Sequence, residues 1–344
     1  MSDSKLVKVL IAGIGGASLG TELVKCLKLA GGYKVYGCDV SPFAFGHYDD
    51  KFDNTHVISR NNYVQDILSV CHDYKIQVIM PGGEEPGFLL SENAKKINAI
   101  GCILAMNSKD VVRLCADKVR TFNYLESKGI PIPKSTEVRN MEDLKEISYP
   151  VIIKPAVESG GSMFVYLAEN LEDAELYSRY LLRKKIRVLA QKYVCSEEGE
   201  FSVGVLSLPG EGIIGSVAMK KQFDNKLSYT MKHGSMVISS PYSQGIVDEF
   251  KDVRRQAEKI AHIVGSQGPL NIQGRVEDGI FYPFEINARF SGGSYLRSMT
   301  GFNEVHSFLK YLVSGEICAL SELKYGYFIR SLTEKFIDIK GLKK

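Results

Sequence analysis

The sequence predicts a multidomain protein that combines an α/β unit with α+β units. Its 344 residues exceed the size at which one hydrophobic core keeps growing. In the first third, short buried-strand runs alternate with amphipathic helical segments, which is typical of a parallel, doubly wound sheet. In the last third, strand-like runs follow one another and include Asp278-Gly279, a strong hairpin signal. The expected divisions are residues 1–107, 108–195 and 196–320, with a tail at 321–344.

The first unit is expected to be a parallel sheet with right-handed crossover helices. Runs of apolar residues predict strands at 8–12, 34–39, 77–81 and 100–105. Apolar residues at helical spacing predict helices at 21–29, 65–75 and 87–96.

The second unit is expected to open with one long helix over residues 109–128, ended by Gly129 and Pro131. Strands at 149–155, 163–167 and 187–194 and a helix at 172–183 follow. The third unit has an antiparallel pattern, with strands at 201–208, 212–221, 235–239, 268–277 and 279–287 and a helix at 246–264. The tail is predicted to hold a strand and a basic end.

Composition argues against several classes of protein. The net charge of +3 is spread over mixed signs, which does not favour nucleic acid as a partner. The apolar runs are too short to span a bilayer, and the N-terminus lacks the pattern of a signal peptide. Seven scattered cysteines without a CxxC pair predict free thiols in a reducing cytosol and argue against zinc. A cytoplasmic protein without membrane or nucleic-acid partners is expected.

The most informative segment is residues 284–289, Phe-Glu-Ile-Asn-Ala-Arg. Glu285 and Asn287 are two residues apart, so on a strand their oxygens share one face. Oxygen ligands of this kind suit Mg²⁺ beside phosphates. Arg289 would offer a cationic fork to a phosphate or oxyanion if the strand continues. A strand end with ordinary polar residues is the alternative that these six residues leave open.

Two lysines are candidates for binding phosphate. Lys154 ends a predicted strand beside the glycine-rich turn 158–162, whose backbone N–H groups could cradle phosphate. Lys118 lies on a predicted helix, where a solvated face is the alternative. Residues 191–194, followed by Glu200, could form a hinge that contacts adenine and ribose, or simply a strand and an exposed turn.

The order of these elements resembles the ATP-grasp superfamily, and most closely the carbamoyl phosphate synthase large-subunit type. The resemblance covers about residues 1–315. Residues 268–273 look like a metal-ligand strand in which Gln273 stands in for an acidic residue. Residues 285–289 resemble the group's Glu-x-Asn-Pro-Arg motif, with Ala288 in place of proline.

The resemblance implies a role for each matched residue. For ATP binding these are Lys118, Lys154, Ser159, Gly160, Gly161, Ser162, Lys192, Tyr193, Val194, Glu200 and His233. Gln273, Glu285 and Asn287 would hold two Mg²⁺ (or Mn²⁺) ions, and Arg289 and Lys154 would be catalytic. The family often has glutamate where this chain has Lys192, so only backbone contacts are expected there. A surface histidine is the alternative for His233.

The resemblance also implies a fold and an activity. Residues 1–107 would be a Rossmann-like pre-ATP-grasp domain, and 108–195 and 196–320 the small and large lobes of an ATP-grasp fold. Such a protein would join a small-molecule carboxylate to an amine or ammonia through an acylphosphate, and a homodimer is a family-level expectation. Candidate substrate residues are Gly15, Gly16, Glu84, Glu85, Ser291, Gly292 and Gly293. An acidic pair at a helix N-terminus is the alternative for Glu84 and Glu85.

Three other functions stay open. Phosphorylation of bicarbonate or carbamate is the second enzymatic hypothesis. A non-catalytic nucleotide-binding regulator is a non-enzymatic alternative. Gly13, Gly15 and Gly16, with Asp39 after the second strand, also resemble a dinucleotide site, although a glycine at position 18 is lacking.

Overall fold

The computed structural model describes residues 6–16, 19–157, 163–195, 197–242, 244–318 and 322–343. These residues form a mixed α/β fold with four sheets. All seven cysteines lie within these ranges as free thiols. Within the same ranges, no helix has both the length and the apolar character that crossing a bilayer requires.

The N-terminal sheet consists of parallel strands in the order β3-β2-β1-β4-β5. The strands are β1 (Val7–Ala12), β2 (Tyr33–Asp39), β3 (Asn54–Val57), β4 (Val78–Pro81) and β5 (Ile103–Leu104). The accompanying helices are α1 (Leu19–Ala30), α2 (Tyr63–Tyr74), α3 (Glu84–Glu92) and α4 (Ala94–Ala99). The predicted alternation of strands and helices is confirmed, and β3 is an additional edge strand.

The strand order reverses between β1 and β4, whose carboxyl ends lead into the turns 13–16 and 82–85. The two turns touch: a Cβ atom on Gly82 would lie only 1.9 Å from the Gly13 carbonyl oxygen, so no other residue fits there. Open α/β sheets bind ligands in the crevice at such a reversal.

The predicted long helix over 109–128 is wrong, because two helices occupy this stretch. They are α5 (Lys109–Ala116) and α6 (Lys118–Ser127). Asp117 between them is extended, forms a bridge with Val157 and caps α6 by accepting the Arg120 N–H. The break therefore places Lys118 at the first position of a new helix, beside the end of a strand.

A four-stranded antiparallel sheet follows, in the order β6-β9-β7-β8. Its elements are β6 (Ser135–Val138), β7 (Val151–Pro155), β8 (Tyr166–Ala168), β9 (Val188–Lys192) and helix α7 (Leu171–Arg183). Val151, Ile153 and Leu181 are fully buried between α7 and the sheet. The opposite face of β7 carries Lys154 toward the rest of the molecule.

The third part is an antiparallel sheet of six strands in the order β16-β15-β10-β11-β14-β17, with a separate β12-β13 hairpin. The strands are β10 (Glu200–Leu208), β11 (Gly212–Gln222), β12 (Tyr229–His233), β13 (Met236–Ser239), β14 (Gln244–Val247), β15 (Pro269–Glu277), β16 (Ile280–Asn287) and β17 (Gly326–Phe328). The helices are α8 (Lys251–Ile263), α9 (Ser294–Met299) and α10 (Glu304–Ser314). The predicted Asp278-Gly279 hairpin is confirmed, and both residues have positive φ.

One predicted boundary in this region is wrong. Helix α8 begins at Lys251 rather than at Ile246, because Ile246 and Val247 pair with β11 as part of β14. The sequence did not predict α9 and α10. These two helices join the two larger sheets: Phe302 and Phe308 lie in one buried cluster with Val9 of β1 and Val217 of β11.

Candidate active site

A cavity of about 790 Å³ opens where the N-terminal sheet, the four-stranded sheet and the six-stranded sheet meet. Its size is that of a small-molecule site. The charged side chains that line it are Glu84, Glu85, Lys118, Lys154, Lys192, Glu200, Lys221, Arg275, Glu285 and Arg289. The fold thus brings together residues that are more than 200 positions apart in the sequence.

Lys154 and Lys118 form a cationic wall of this cavity. The Nζ atom of Lys154 donates to Gln191 Oε1 at 2.7 Å and to the Phe284 carbonyl oxygen at 2.8 Å. Burial, together with the nearby charge of Lys118, lowers the pKa of Lys154 to about 7. A bound anion would favour the charged forms of both amines. The predicted phosphate loop, Ser159, Gly160, Gly161 and Ser162, lies outside the described residues.

The predicted hinge forms an adjacent wall. Lys192, Tyr193 and Val194 all line the cavity. Tyr193 is held at both ends, because its N–H donates to the Pro150 carbonyl and its hydroxyl accepts the Val237 N–H at 2.8 Å. The Lys192 side chain is exposed, which agrees with the expectation that only its backbone matters.

Glu200 lies at the centre of a buried charge network. Its Oε1 accepts from Lys221 Nζ at 2.9 Å, and its Oε2 accepts two bonds from Arg275 at 2.8 and 3.0 Å. Burial opposes ionisation of Glu200, yet the two cations lower its carboxyl pKa to about 2. The network has one carboxylate for two cations, so it adds positive charge to this side of the cavity.

The predicted metal ligands lie on paired strands. Gln273 of β15 is opposite Glu285 of β16, and its Nε2 donates to Glu285 Oε2 at 2.5 Å. Asn287 is opposite Asn271; it is 4% exposed, and its Nδ2 has no partner in the part of the chain that the structure describes. The wall of the cavity includes Asn271 but not Asn287. No group of three or more His, Cys, Asp or Glu side chains forms a metal cluster within the described ranges.

Arg289 reaches the cavity by a different route from the one the sequence suggested. The strand does not continue to it: β16 ends at Asn287, and the Arg289 N–H donates to the Asn287 carbonyl at 2.8 Å. The resulting turn directs the guanidinium toward the N-terminal unit, where Nη2 pairs with Glu84 and Nη1 donates to the Phe290 carbonyl at 2.9 Å. Its Nε is buried with no partner among the described residues.

The substrate candidates divide into two groups. Glu84, Glu85, Ser291, Gly292 and Gly293 line the cavity, whereas Gly15 and Gly16 are not part of its wall. Glu85 is largely exposed and pairs with Arg60 at 3.0 Å. The His233 candidate is not part of the wall either: it is exposed on β12 and pairs with Glu169 at 2.8 Å.

The dinucleotide alternative receives little support from Asp39. One carboxylate oxygen accepts the Ile14 N–H at 2.8 Å and the other accepts the Ser41 N–H at 3.0 Å. In dinucleotide folds the acidic residue at this position binds ribose hydroxyls, but here both oxygens already serve the protein's own backbone.

Comparison with known families agrees with this geometry. The profile of the ATP-grasp domain matches residues 115–293, just over half of the chain. The chain belongs to the ATP-grasp family. The matched range contains every cavity residue described above except Glu84 and Glu85.

Curated relatives show the same family at low identity. The ATP-grasp chain is 24% identical over 239 residues to the carbamoyl phosphate synthase large chain of Pasteurella multocida, covering 66% of this chain and 21% of that one. It is 25% identical over 179 residues to the D-alanine–D-alanine ligase of Pseudothermotoga lettingae, covering 51% and 57%. The chain thus spans about a fifth of the first relative and just over half of the second.

Solved structures show the same fold. An L-amino acid ligase from Bacillus licheniformis has a TM-score of 0.66 at 16% identity, covering 90% of this chain and 74% of that one. The N5-carboxyaminoimidazole ribonucleotide synthetase from Thermotoga maritima has a TM-score of 0.64 at 18% identity, covering 93% and 79%.

The ATP-grasp site contains two buried cations that the sequence did not single out. Lys221 joins Glu200, Gln273 and Ser239 through one Nζ atom, and Arg275 packs over the Tyr193 ring at 4.3 Å. The spacing could have pointed to Arg275, because this residue is two positions after Gln273 and so shares its face of β15.

Proposed function

We propose that this protein is an ATP-dependent ligase that joins a small carboxylate to an amine or ammonia and releases ADP and phosphate. One observation carries the proposal: a single cavity joins the cations Lys118 and Lys154 to Glu285 and Arg289. Such a set can neutralise a triphosphate at one end and hold a phosphoryl acceptor at the other.

ATP is proposed to lie along the cavity. Adenine would contact the backbone of residues 192–194, and the triphosphate would extend toward Lys118, Lys154 and the loop 159–162. Glu200 is assigned to the ribose end. Because Lys221 and Arg275 occupy its carboxylate, a ribose hydroxyl would join this network as a further donor.

Metal ions are part of the proposal. Gln273, Glu285 and Asn287 would hold two Mg²⁺ or Mn²⁺ ions, and their carboxylate and amide oxygens suit hard cations. Only the Oδ1 atom of Asn287 could bind a metal, because its unpartnered Nδ2 is a hydrogen-bond donor. When bound, the metal neutralises charge on the β- and γ-phosphates.

The chemistry takes two steps. A carboxylate oxygen of the substrate attacks the γ-phosphorus, the bond to the β,γ-bridging oxygen breaks, and ADP leaves. The Arg289 guanidinium and the Lys154 ammonium stabilise the transferred phosphoryl group. The amine nitrogen then attacks the acyl carbon, loses a proton and expels phosphate, which leaves an amide.

The N-terminal unit is proposed to bind the substrate. Its parallel sheet fits a Rossmann-like pre-ATP-grasp domain over residues 1–107, followed by lobes at 108–195 and 196–320 and a tail at 321–344. Glu84, after β4, lines the same cavity as the turn 291–293, so the substrate would lie between them, with its amine toward Glu84 and its carboxylate toward the turn and Arg289. Gly15 and Gly16 stay candidates only for the outer part of the substrate.

The test is a screen of carboxylic acids with amines and ammonia for ADP release, followed by mass spectrometry of the product. A carboxylate that stimulates ADP release in the wild type but not in Glu285→Gln supports the proposal. ATP binding without any turnover across the screen would favour the non-catalytic regulator instead.

Phosphorylation of bicarbonate is the second candidate. The similarity to carbamoyl phosphate synthase large chains favours it, together with Gln273 in place of an acidic ligand. Stimulation of ADP release by bicarbonate alone, with organic acids inactive, separates this candidate from the first.

A further inference from the structure

The C-terminal segment, residues 322–343, contacts both the six-stranded sheet and the N-terminal unit. Strand β17 pairs with β14 at the edge of the six-stranded sheet. Further along, Lys335 Nζ lies 3.0 Å from Asp50 Oδ2, and the Lys343 N–H donates to the Tyr48 hydroxyl at 3.0 Å. The segment therefore leaves the large sheet and ends against the N-terminal unit.

Arg330 is the residue of this segment that reaches the cavity wall. Its Nη2 donates to the Gly292 carbonyl oxygen at 2.6 Å and lies 3.3 Å from Glu22 Oε2 on α1. Its backbone N–H donates to Gln244 Oε1 of β14 at 3.4 Å. The Arg330 side chain is 16% exposed and that of Glu22 8%, so the contact is shielded from water. A single arginine thus ties the turn 291–293 to α1 and β14.

The rest of this turn is fixed from the opposite side. Arg297 Nη2 donates to Ser291 Oγ at 3.0 Å, and the same Oγ accepts the Gly293 N–H at 3.0 Å. Arg297 is in turn paired with Glu304 at 2.6 Å, and both side chains are almost completely buried. Glycine has a wide choice of backbone angles, so the Gly292 carbonyl requires a partner such as Arg330 to hold one orientation.

We propose that Arg330 is a positioning residue of the active site. It holds the turn 291–293, which directly follows Arg289 and Phe290, and so sets the place of the substrate carboxylate relative to the Arg289 guanidinium. This inference rests on the proposed function. It predicts a large kinetic effect from a residue outside the cavity wall, because a misplacement of about 1 Å can cost on the order of a hundredfold in rate.

Kinetics of Arg330→Met, Arg330→Lys and Arg330→Ala test the proposal, with Lys335→Met as the matched control. The control removes another cation of the same segment that also contacts the N-terminal unit, but through Asp50 rather than through the turn. We expect Arg330→Met to lower kcat roughly ten- to hundredfold and to raise KM for the carboxylate, with KM for ATP unchanged.

Arg330→Lys should recover part of the rate, because lysine keeps one donor but not the fork. Added guanidinium should restore Arg330→Ala.

A second measurement needs no turnover. Hydrogen exchange of the amides at 291–294, followed by mass spectrometry, should be faster in Arg330→Met than in the wild type and unchanged in Lys335→Met. Wild-type exchange and kinetics in Arg330→Met would overturn the inference. So would equal losses in the Lys, Met and Ala variants without guanidinium rescue, because that pattern indicates a purely structural role. If no carboxylate stimulates the wild type, the proposed function fails, and the exchange result still shows whether Arg330 holds the turn 291–293.

Discussion

Arg289 forms an ion pair with Glu84, a residue 205 positions earlier in the chain. Arg289 follows the last long strand of the six-stranded sheet, and Glu84 is the first residue of α3 beside the N-terminal sheet. Both side chains line the cavity, and about a fifth of each is exposed. The guanidinium proposed to stabilise the phosphoryl group is therefore held by a carboxylate of the proposed substrate unit.

The first prediction concerns this pair. A substrate that carries an ammonium group would compete with Arg289 for Glu84 and free the guanidinium for the phosphate. Glu84→Gln should therefore raise ATP hydrolysis in the absence of carboxylate. It should also raise KM for the amine about ten- to hundredfold, because one charge-assisted hydrogen bond is lost. Steady-state ADP release measures both effects. Glu92→Gln is the control, since Glu92 lies on the same helix, pairs with Lys109 and Arg113 and is not part of the cavity wall. Equal behaviour of the two variants contradicts the prediction.

The second prediction concerns Glu285. Glu285→Gln keeps the shape of the side chain but removes the only carboxylate among the three proposed metal ligands. We expect kcat to fall by roughly a hundredfold or more, as when one transition-state contact is lost, with little change in Tm. Glu277→Gln is the control, because Glu277 lies on the same hairpin but binds the Cys195 N–H. Near-normal turnover in Glu285→Gln would be incompatible with the metal assignment.

The third prediction concerns Lys154 and pH. Burial lowers its pKa to about 7, so the amine is mostly neutral between that pH and the ordinary value of 10.5. A bound triphosphate favours the charged form, so ATP binding should take up a proton in this window. The Kd for ATP should then rise with pH by up to roughly tenfold per pH unit above 7. Below pH 7 the charge is already present, and the dependence should vanish.

Calorimetry in two buffers of different ionisation enthalpy measures this proton uptake. Lys154→Met should abolish it, whereas Lys192→Met should retain it because the Lys192 side chain is exposed. Unchanged proton uptake in Lys154→Met would show that another group is responsible.

The fourth prediction concerns the helix break at Asp117. Its Oδ1 caps α6, and its Oδ2 pairs with Arg187 at 2.8 Å. Asp117→Ala should cost about 1 kcal/mol of the free energy of unfolding, the usual value of an N-cap, and weaken ATP binding because Lys118 follows the cap directly. Asp117→Asn keeps a capping oxygen and should lose less stability and less affinity for ATP. Urea unfolding and ATP titration of the two variants measure these effects. Equal losses in Asp117→Asn and Asp117→Ala would contradict the role of the cap.

Much of this site could be predicted from local sequence. Glu285 is predicted from its spacing on a strand and Lys154 from its place at a strand end beside glycines, and both line the cavity, whereas Asn287, predicted from the same spacing, is not part of its wall. The position of Arg289 could not be predicted this way, because β16 ends two residues earlier and only the turn carries the side chain into the cavity.

The remaining features depend on tertiary contacts. Lys221 and Arg275 lie within strands whose pattern predicts burial. Their buried charges are tolerated because the Glu200 carboxylate pairs with both. Likewise, the apolar spacing through 109–128 continues across Asp117, so that only the bridge to Val157 and the cap reveal the break.

The most direct test of the central claim follows oxygen through the reaction. A carboxylate that stimulates ADP release is labelled with ¹⁸O in its carboxyl group, and the released phosphate is analysed by mass spectrometry. An acylphosphate intermediate predicts that one ¹⁸O atom appears in the phosphate for each amide formed. Phosphate that contains oxygen only from ATP and water would contradict it.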